Sequence, residues 1–157
     1  MNASIAPRNR KTPKLLSIIV PAFNENETIE EFYARLSMAM SAIKQNYEIV
    51  FINDGSQDGT LSTMKRLQDK HGTITIVDLS RNFGKEIATT AGIDNAKGDA
   101  TVIIDADLQD PPELIEKLIE KWSEGYDVVY AQREQREGET WLKKKSAELF
   151  YLLMQKL

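Results

Sequence analysis

Thr101-Val102-Ile103-Ile104-Asp105-Ala106-Asp107-Leu108-Gln109-Asp110-Pro111-Pro112-Glu113 is the stretch on which the fold turns. Thr101 to Ile104 has the branched, apolar composition of a buried strand, and the run stops at Asp105. Asp110-Pro111-Pro112-Glu113 opens a helix, with Asp110 as N-cap, Pro111 at the first helical position and Glu113 at the third. Between them Asp105, Asp107 and Gln109 stand at alternate positions, and residues two apart in extended backbone point to one side. Two carboxylates and an amide oxygen then converge at a strand end. That donor set suits a hard divalent cation, Mg2+ or Mn2+, shared with a substrate's phosphates. Capping accounts for Asp110 and Glu113. It does not account for Asp105 and Asp107, because carboxylates left unpaired beside a buried strand are costly.

The same alternation repeats outward. Leu16-Ser-Ile-Ile-Val-Pro21, Glu48-Ile-Val-Phe-Ile-Asn53 and Thr73-Ile-Thr-Ile-Val-Asp-Leu79 read as three earlier strands, and Asp127-Val-Val-Tyr-Ala131 as a fifth. Apolar residues recur at helical spacing between them. Ile29, Phe32, Leu36, Met40 and Ile43 mark a helix capped by Asn24 or Asn26, and Leu61, Met64 and Leu67 mark one from about Asp58. Further helices are predicted over about 83–95, 113–123 and 139–157. Strand alternating with helix predicts a layered α/β sheet, its strands mostly parallel and flanked by helices. Ligands of such sheets bind at the carboxyl ends of strands, and a polar cluster follows nearly every predicted strand here.

Pro21-Ala-Phe-Asn-Glu25 follows the first strand, and a turn with a helix cap explains it adequately. Asn53-Asp-Gly-Ser-Gln-Asp-Gly-Thr60 follows the second. There Asp54 is placed to accept hydrogen bonds from ribose hydroxyls or a base N–H, and the glycines permit a tight turn or close approach to a ligand. Asp54, Ser56, Asp58 and Gly59 echo a calcium loop, but Lys65 stands at the twelfth position, where such a loop needs Glu. Ser80-Arg-Asn-Phe-Gly-Lys-Glu86 follows the third strand. Arg81 and Lys85 can neutralise a diphosphate near a helix N-terminus, and surface charges beside a Ser80 or Asn82 cap explain the segment equally well. Beyond the fifth strand, Arg133 is the better phosphate contact, and Arg136 reads as solvated. His71, the single histidine, precedes Gly72 at a helix end and fits the helix dipole better than catalysis.

Composition narrows the class. The 157 residues suffice for one domain with a real core. No cysteine is present, which excludes disulfides and thiolate metal sites and fits a cytosolic environment. With one histidine and no G-x-S-x-G, a Ser/Cys–His nucleophile has little support. Neither a G-x-G-x-x-G fingerprint nor a P-loop occurs, which disfavours NAD-type and P-loop chemistry. Net charge is -4, so nucleic acid is not an expected partner. That charge is uneven: residues 1–14 hold four bases and no acid, residues 133–157 six bases and four acids, and residues 15–132 stand at -10. No run reaches the roughly 20 apolar residues that span a bilayer, and residues 1–14 lack a signal peptide's apolar segment and read as a disordered basic tail.

Taken together, Ser17-Ile-Ile-Val-Pro-Ala-Phe-Asn-Glu25, Ile52-Asn-Asp-Gly-Ser-Gln-Asp-Gly-Thr60, Ser80-Arg-Asn-Phe-Gly-Lys85 and Asp105 to Glu113 closely resemble family 2 glycosyltransferases of the GT-A fold, a Rossmann-like layered sheet. Within that family the nearest resemblance is to polyprenyl-phosphate glycosyltransferases, the bactoprenol glucosyltransferases and dolichol-phosphate mannose synthases. The resemblance implies that Pro21, Phe23, Glu25, Ile52 and Asp54 line the nucleotide's base and ribose. It gives Arg81 a basic donor-binding position, and Lys85 joins it as a nucleotide-sugar-binding candidate from its place at the helix start. It makes Asp105, Ala106, Asp107 and Gln109 the metal and diphosphate motif, with Asp105, Asp107 and Gln109 as ligands. Asp107 and Arg133 then carry the catalytic roles, Arg133 contacting phosphate near the reaction centre. Residues 133–139 and the helix after them look more like the bacterial glucosyltransferase branch, which favours UDP-glucose over GDP-mannose as donor.

The implied activity is metal-dependent, inverting transfer of a sugar to polyprenyl phosphate at the cytoplasmic face of a membrane. Alternatives are a soluble relative acting on a protein or polysaccharide, and a truncated donor-binding domain without turnover. The expected organisation is a tail over 1–14, a catalytic domain over 15–137 and an amphipathic helix over 138–157. Trp141, Leu142, Leu149, Phe150, Leu152, Leu153 and Met154, with Lys143-Lys-Lys145, suit that helix equally to a membrane surface or to packing on the domain.

Overall fold

This computed structural model describes residues 11–132, which form a four-stranded parallel sheet flanked by helices. Strands β1 (Leu16–Ala22), β2 (Tyr47–Asn53), β3 (Ile74–Asp78) and β4 (Ala100–Ile103) lie in the order β3-β2-β1-β4. In register, Leu16 pairs Tyr47 and Ala22 pairs Asn53, while Leu16 also pairs Ala100 on the other side. Helices α1 (Ile29–Ile43), α2 (Thr60–Lys70) and α3 (Lys85–Asp94) connect successive strands, and α4 (Ile115–Ser123) follows β4. The layered α/β reading therefore holds.

Alternation along β1 sorts the two faces. Leu16, Ile18, Val20 and Ala22 join Phe32, Leu36 and Met40 of α1, Met64 and Leu67 of α2, and Ile115 and Ile119 of α4 in the larger core. Ile19 turns the other way and packs with Val50, Ile52 and Ala88 under α3. Gly92 lets α3 come close: a Cβ there would lie 2.4 Å from Ile19 Cγ2 and 2.6 Å from Ile52 Cδ1. On that second face Ser17 and Glu48 are buried and bonded to each other, Ser17 Oγ donating to Glu48 Oε1 at 2.6 Å.

The predicted fifth strand does not form. Residues 127–131 pair with no strand, Val128 and Tyr130 are about four-fifths exposed, and β4 is a sheet edge among the described residues. Branched composition supplies propensity, but a strand needs a partner. Instead, a cavity of about 1220 Å³ separates β4 from 128–132.

Helix starts also differ from expectation. Asn24 and Asn26 do not cap α1, because their side chains tie the loop after β1 to the loop after β2 and to α2. Asn24 Oδ1 accepts Gln57 N–H at 2.9 Å, and Asn26 Oδ1 accepts the Thr63 hydroxyl at 2.8 Å. Pro111, not Asp110, occupies the cap before a single 3-10 turn, Pro112–Leu114, that leads into α4. Glu113 pairs with Arg35 of α1 at 3.1 Å. The basic N-terminal stretch is held where it is described: Pro13 is buried, and Lys14 N–H donates to Asp99 Oδ2 at 2.8 Å. Residues 1–10, Arg133, Arg136 and the predicted helix over 139–157 lie outside the described residues. No helix among the described residues is long and apolar enough to cross a membrane.

Candidate active site

Residues from the carboxyl ends of β1, β2 and β4 and the start of α3, which follows β3, line one cleft of about 320 Å³. β1 and its loop give Pro21, Ala22, Phe23 and Glu25. Asp54 follows β2, and Asn82, Gly84, Lys85 and Ala88 come from the loop after β3 and from α3. Asp105, Ala106 and Asp107 follow β4. The cavity beside β4 is larger, but the cleft gathers the charged groups at strand ends, where ligands of parallel sheets bind. The cleft is the candidate site.

Its walls are fixed from the chain itself. Glu25 N–H donates to Thr60 Oγ1 at 2.8 Å, and Glu25 Oε2 accepts the Thr28 hydroxyl at 2.8 Å, so both backbone and carboxylate are held. Phe23 is 41% exposed, an aromatic available to a planar ligand. Asp54 is buried. Its Oδ1 accepts Phe83 N–H at 2.7 Å and its Oδ2 accepts Gly84 N–H at 3.0 Å. Asp58, outside the cleft, braces the same loops by accepting from Asn26 N–H and from Thr60. What burial it has raises its carboxyl, and the hydrogen bonds from Thr60 and Asn26 outweigh this and hold it below its ordinary value.

At the acidic end, Lys85 Nζ lies 2.5 Å from Asp105 Oδ2. Asp107 Oδ1 accepts Gln109 N–H at 3.0 Å, and Leu108 has φ +61°. The backbone thus turns after Asp107, and the extended geometry that would align Gln109 with the two aspartates ends there. Gln109 lines the cavity beside β4 and not the cleft.

Two other expected site residues are also placed elsewhere. Ile52 is fully buried in the core under α3, so its side chain does not line the cleft. Arg81 is exposed, stands outside the cleft and stacks its guanidinium 4.2 Å over the Phe83 ring. Pro21, Phe23, Glu25, Asp54, Lys85, Asp105, Ala106 and Asp107 are brought together as expected. Arg133 lies outside the described residues. Ala22, Asn82, Gly84 and Ala88 also line the cleft and were not assigned to the site from the sequence, where Asn82 was read only as a cap. Their signal was position after a strand end, which charge alone drew toward Arg81 and Lys85.

Among the described residues no group of three or more His, Cys, Asp or Glu is placed to hold a metal ion. Asp105 and Asp107 still fit a divalent cation of the kind bound by one or two carboxylates and completed by substrate phosphates. Such a site is assembled with its substrate.

Known proteins place this cleft in context. Over 136 residues the chain is 54% identical to an uncharacterized glycosyltransferase of Synechocystis, covering 87% of this chain and 43% of that one. It is 46% identical over 142 residues to a bactoprenol glucosyl transferase of Shigella phage SfV, covering 90% and 46%. The chain thus spans less than half the length of these relatives. Among solved structures it is similar, at TM-score 0.56 and 28% identity, to a Pyrobaculum calidifontis mannosyltransferase in complex with GDP-Man and Mn2+, covering 69% of this chain and 36% of that one. The sequence profile described as glycosyl transferase family 2 matches residues 17–156, nearly the whole chain and every residue of the cleft, and the protein belongs to that family.

Proposed function

We propose that this chain carries the donor site of an inverting glycosyltransferase, which moves glucose from UDP-glucose to a polyprenyl phosphate at the cytoplasmic face of a membrane. The observation that carries the proposal is the cleft itself, which gathers two aspartates, a lysine and an exposed aromatic. Those are the group types that a nucleoside diphosphate and its cation need. The glucose and lipid assignments draw support from the 46% identity to a bactoprenol glucosyl transferase, against 28% to the mannosyltransferase.

In this reading Phe23 and Pro21 seat the base, and Glu25 faces the ribose. Asp105 and Asp107 would hold Mg2+ or Mn2+, and a cation there would supply Lewis-acid stabilisation for the leaving diphosphate. Lys85 sits beside Asp105 and adds positive charge where the diphosphate lies. The acceptor phosphate has a second pKa near 6, so its oxygen is already anionic at neutral pH and needs no general base. One acceptor oxygen forms the new bond to the anomeric carbon as the bond to the diphosphate breaks. The electron pair leaves on the nucleoside diphosphate, and no proton moves. Arg133 takes the acceptor phosphate and offsets its repulsion from the donor.

The test supplies short-chain polyprenyl phosphate with UDP-[14C]glucose or GDP-[14C]mannose and counts label in the organic phase. Label from UDP-glucose alone is expected. Label from GDP-mannose alone would move the function to mannose transfer, and donor consumption without lipid label would remove the acceptor assignment.

A further inference from the structure

We propose that Thr60 and Asp58, both outside the cleft, are positioning residues for its nucleoside end: a one-way relay of hydrogen bonds running through them sets Glu25. The inference rests on the donor-binding reading above, in which Glu25 faces the ribose. Thr60 is fully buried, and its single hydroxyl proton goes to Asp58 Oδ1 at 2.5 Å. Its oxygen then accepts Glu25 N–H at 2.8 Å. A carboxylate has no proton to give and a backbone N–H no lone pair, so the chain from Glu25 through Thr60 to Asp58 runs in one direction only. Bonds in such a chain polarise one another, and the charged acceptor makes the last one strong. Asp58 is itself set by accepting Thr60 N–H on the same oxygen at 2.9 Å.

The neighbours of Glu25 are tied in the same manner. Three consecutive backbone N–H groups of the loop after β1, those of Asn24, Glu25 and Asn26, donate to side-chain oxygens of Ser56, Thr60 and Asp58. Of these three acceptors Thr60 alone is buried. Water replaces a lost acceptor more readily at the exposed Asn24 and Asn26 than at the half-buried Glu25. On its other side Glu25 is held by Thr28, whose hydroxyl donates to Glu25 Oε2 at 2.8 Å, and by Thr28 and Ile29 N–H, which both donate to its carbonyl at 3.1 Å. Glu25 is therefore fixed on both sides of its Cα, and the tie on the N–H side depends on one hydroxyl. Releasing that tie moves a carboxylate that lines the cleft. Lys85, Asp105 and Asp107 are carried by other segments, the start of α3 and the turn after β4, and keep their places.

The test measures uridine and UDP affinity with Mg2+ by ligand-observed NMR, on wild type, Thr60→Val, Thr60→Ser and Asp58→Asn, below each variant's melting temperature. Valine fills the buried site of threonine without a hydroxyl, and serine keeps the hydroxyl and drops the methyl. Thr60→Val should weaken uridine and UDP by the same factor, about tenfold, and Thr60→Ser by less than about threefold. Asp58→Asn keeps the hydroxyl but not the charge that directs it, and should fall between them. Wild-type affinity in Thr60→Val or in Asp58→Asn would overturn the proposal. So would equal losses in Thr60→Val and Thr60→Ser, which would give the effect to packing, and so would a loss confined to UDP, which would place it at the diphosphate. If wild type binds neither ligand, the donor-binding reading itself fails. The Glu25 amide proton then decides the relay separately: its resonance should move upfield in Thr60→Val and stay near wild type in Thr60→Ser, and one position in all three proteins would overturn it.

Discussion

Lys85 places its ammonium 2.5 Å from Asp105 Oδ2, so one of the two carboxylates assigned to a divalent cation already holds a tethered positive charge. Lys85 is 60% and Asp105 31% exposed, and pairs this open to solvent are worth about 0.2–1 kcal/mol. Replacing Lys85 with Met should therefore tighten Mn2+ binding in the absence of nucleotide, by at most about fivefold, read by electron paramagnetic resonance titration. The same variant should bind UDP more weakly, having lost a charge beside the diphosphate. Weaker Mn2+ binding in Lys85→Met would show that the lysine supports the cation instead of competing with it.

Gly92→Ala sets two effects against each other. Alanine in a helix interior is favoured over glycine by about 1 kcal/mol. Here the new methyl meets Ile19 and Ile52 at 2.4 and 2.6 Å in a packed core, and overpacking costs about 1–3 kcal/mol. Sterics should win, with a net loss of about 1 kcal/mol in urea unfolding. A stabilised variant would mean that α3 can lift from the sheet without cost.

Glu48 is the buried carboxylate of the second face. Its Oε1 accepts the Ser17 hydroxyl at 2.6 Å and Lys97 N–H at 2.6 Å, closing the turn before β4. Glu48→Leu leaves both donors without that acceptor, at about 1–3 kcal/mol each, while Glu48→Gln keeps an acceptor oxygen and should cost less than about 1.5 kcal/mol. Equal losses in the two variants, measured by denaturant midpoint at constant slope, would contradict this account.

Asp58 gives the domain an acid-sensitive increment. Its carboxyl is held below its ordinary 3.8 in the folded chain, so the charged form is favoured by folding. That contribution is fully present above the unfolded value and is lost as pH falls through the lowered folded value. The stability gap between wild type and Asp58→Asn should hold from about pH 7 to pH 5 and close toward about pH 3. A gap that widened on acidification would reverse the assigned direction.

Strands β1 to β4 were legible because a buried parallel strand is a short branched run, and each such run ended at a polar cluster. The acidic pair was legible from composition, Asp105 and Asp107 following a branched apolar run, although β4 is not buried: it stands half-exposed at the sheet edge, with Ile103 50% exposed. What failed was pairing and direction. Residues 127–131 have strand composition, but β4 stands at the sheet edge with a cavity between. Gln109 fell out of line because Leu108 turns the chain at positive φ, a conformation that its side chain does not announce. Arg81 was read by charge, and its guanidinium found the Phe83 ring two residues on. The hydrogen bonds that Asp54 accepts from Phe83 and Gly84 span 29 and 30 residues, a separation at which one sequence carries no contact signal.

The central claim is a donor site completed by a cation on Asp105 and Asp107. Calorimetry of UDP, UDP-glucose and GDP-mannose with and without Mn2+, on wild type and on Asp105→Ala/Asp107→Ala, tests it most directly. The expected result is Mn2+-dependent binding of the uridine ligands, lost in the double variant. Binding that is indifferent to Mn2+, or that survives in a folded double variant, would contradict it.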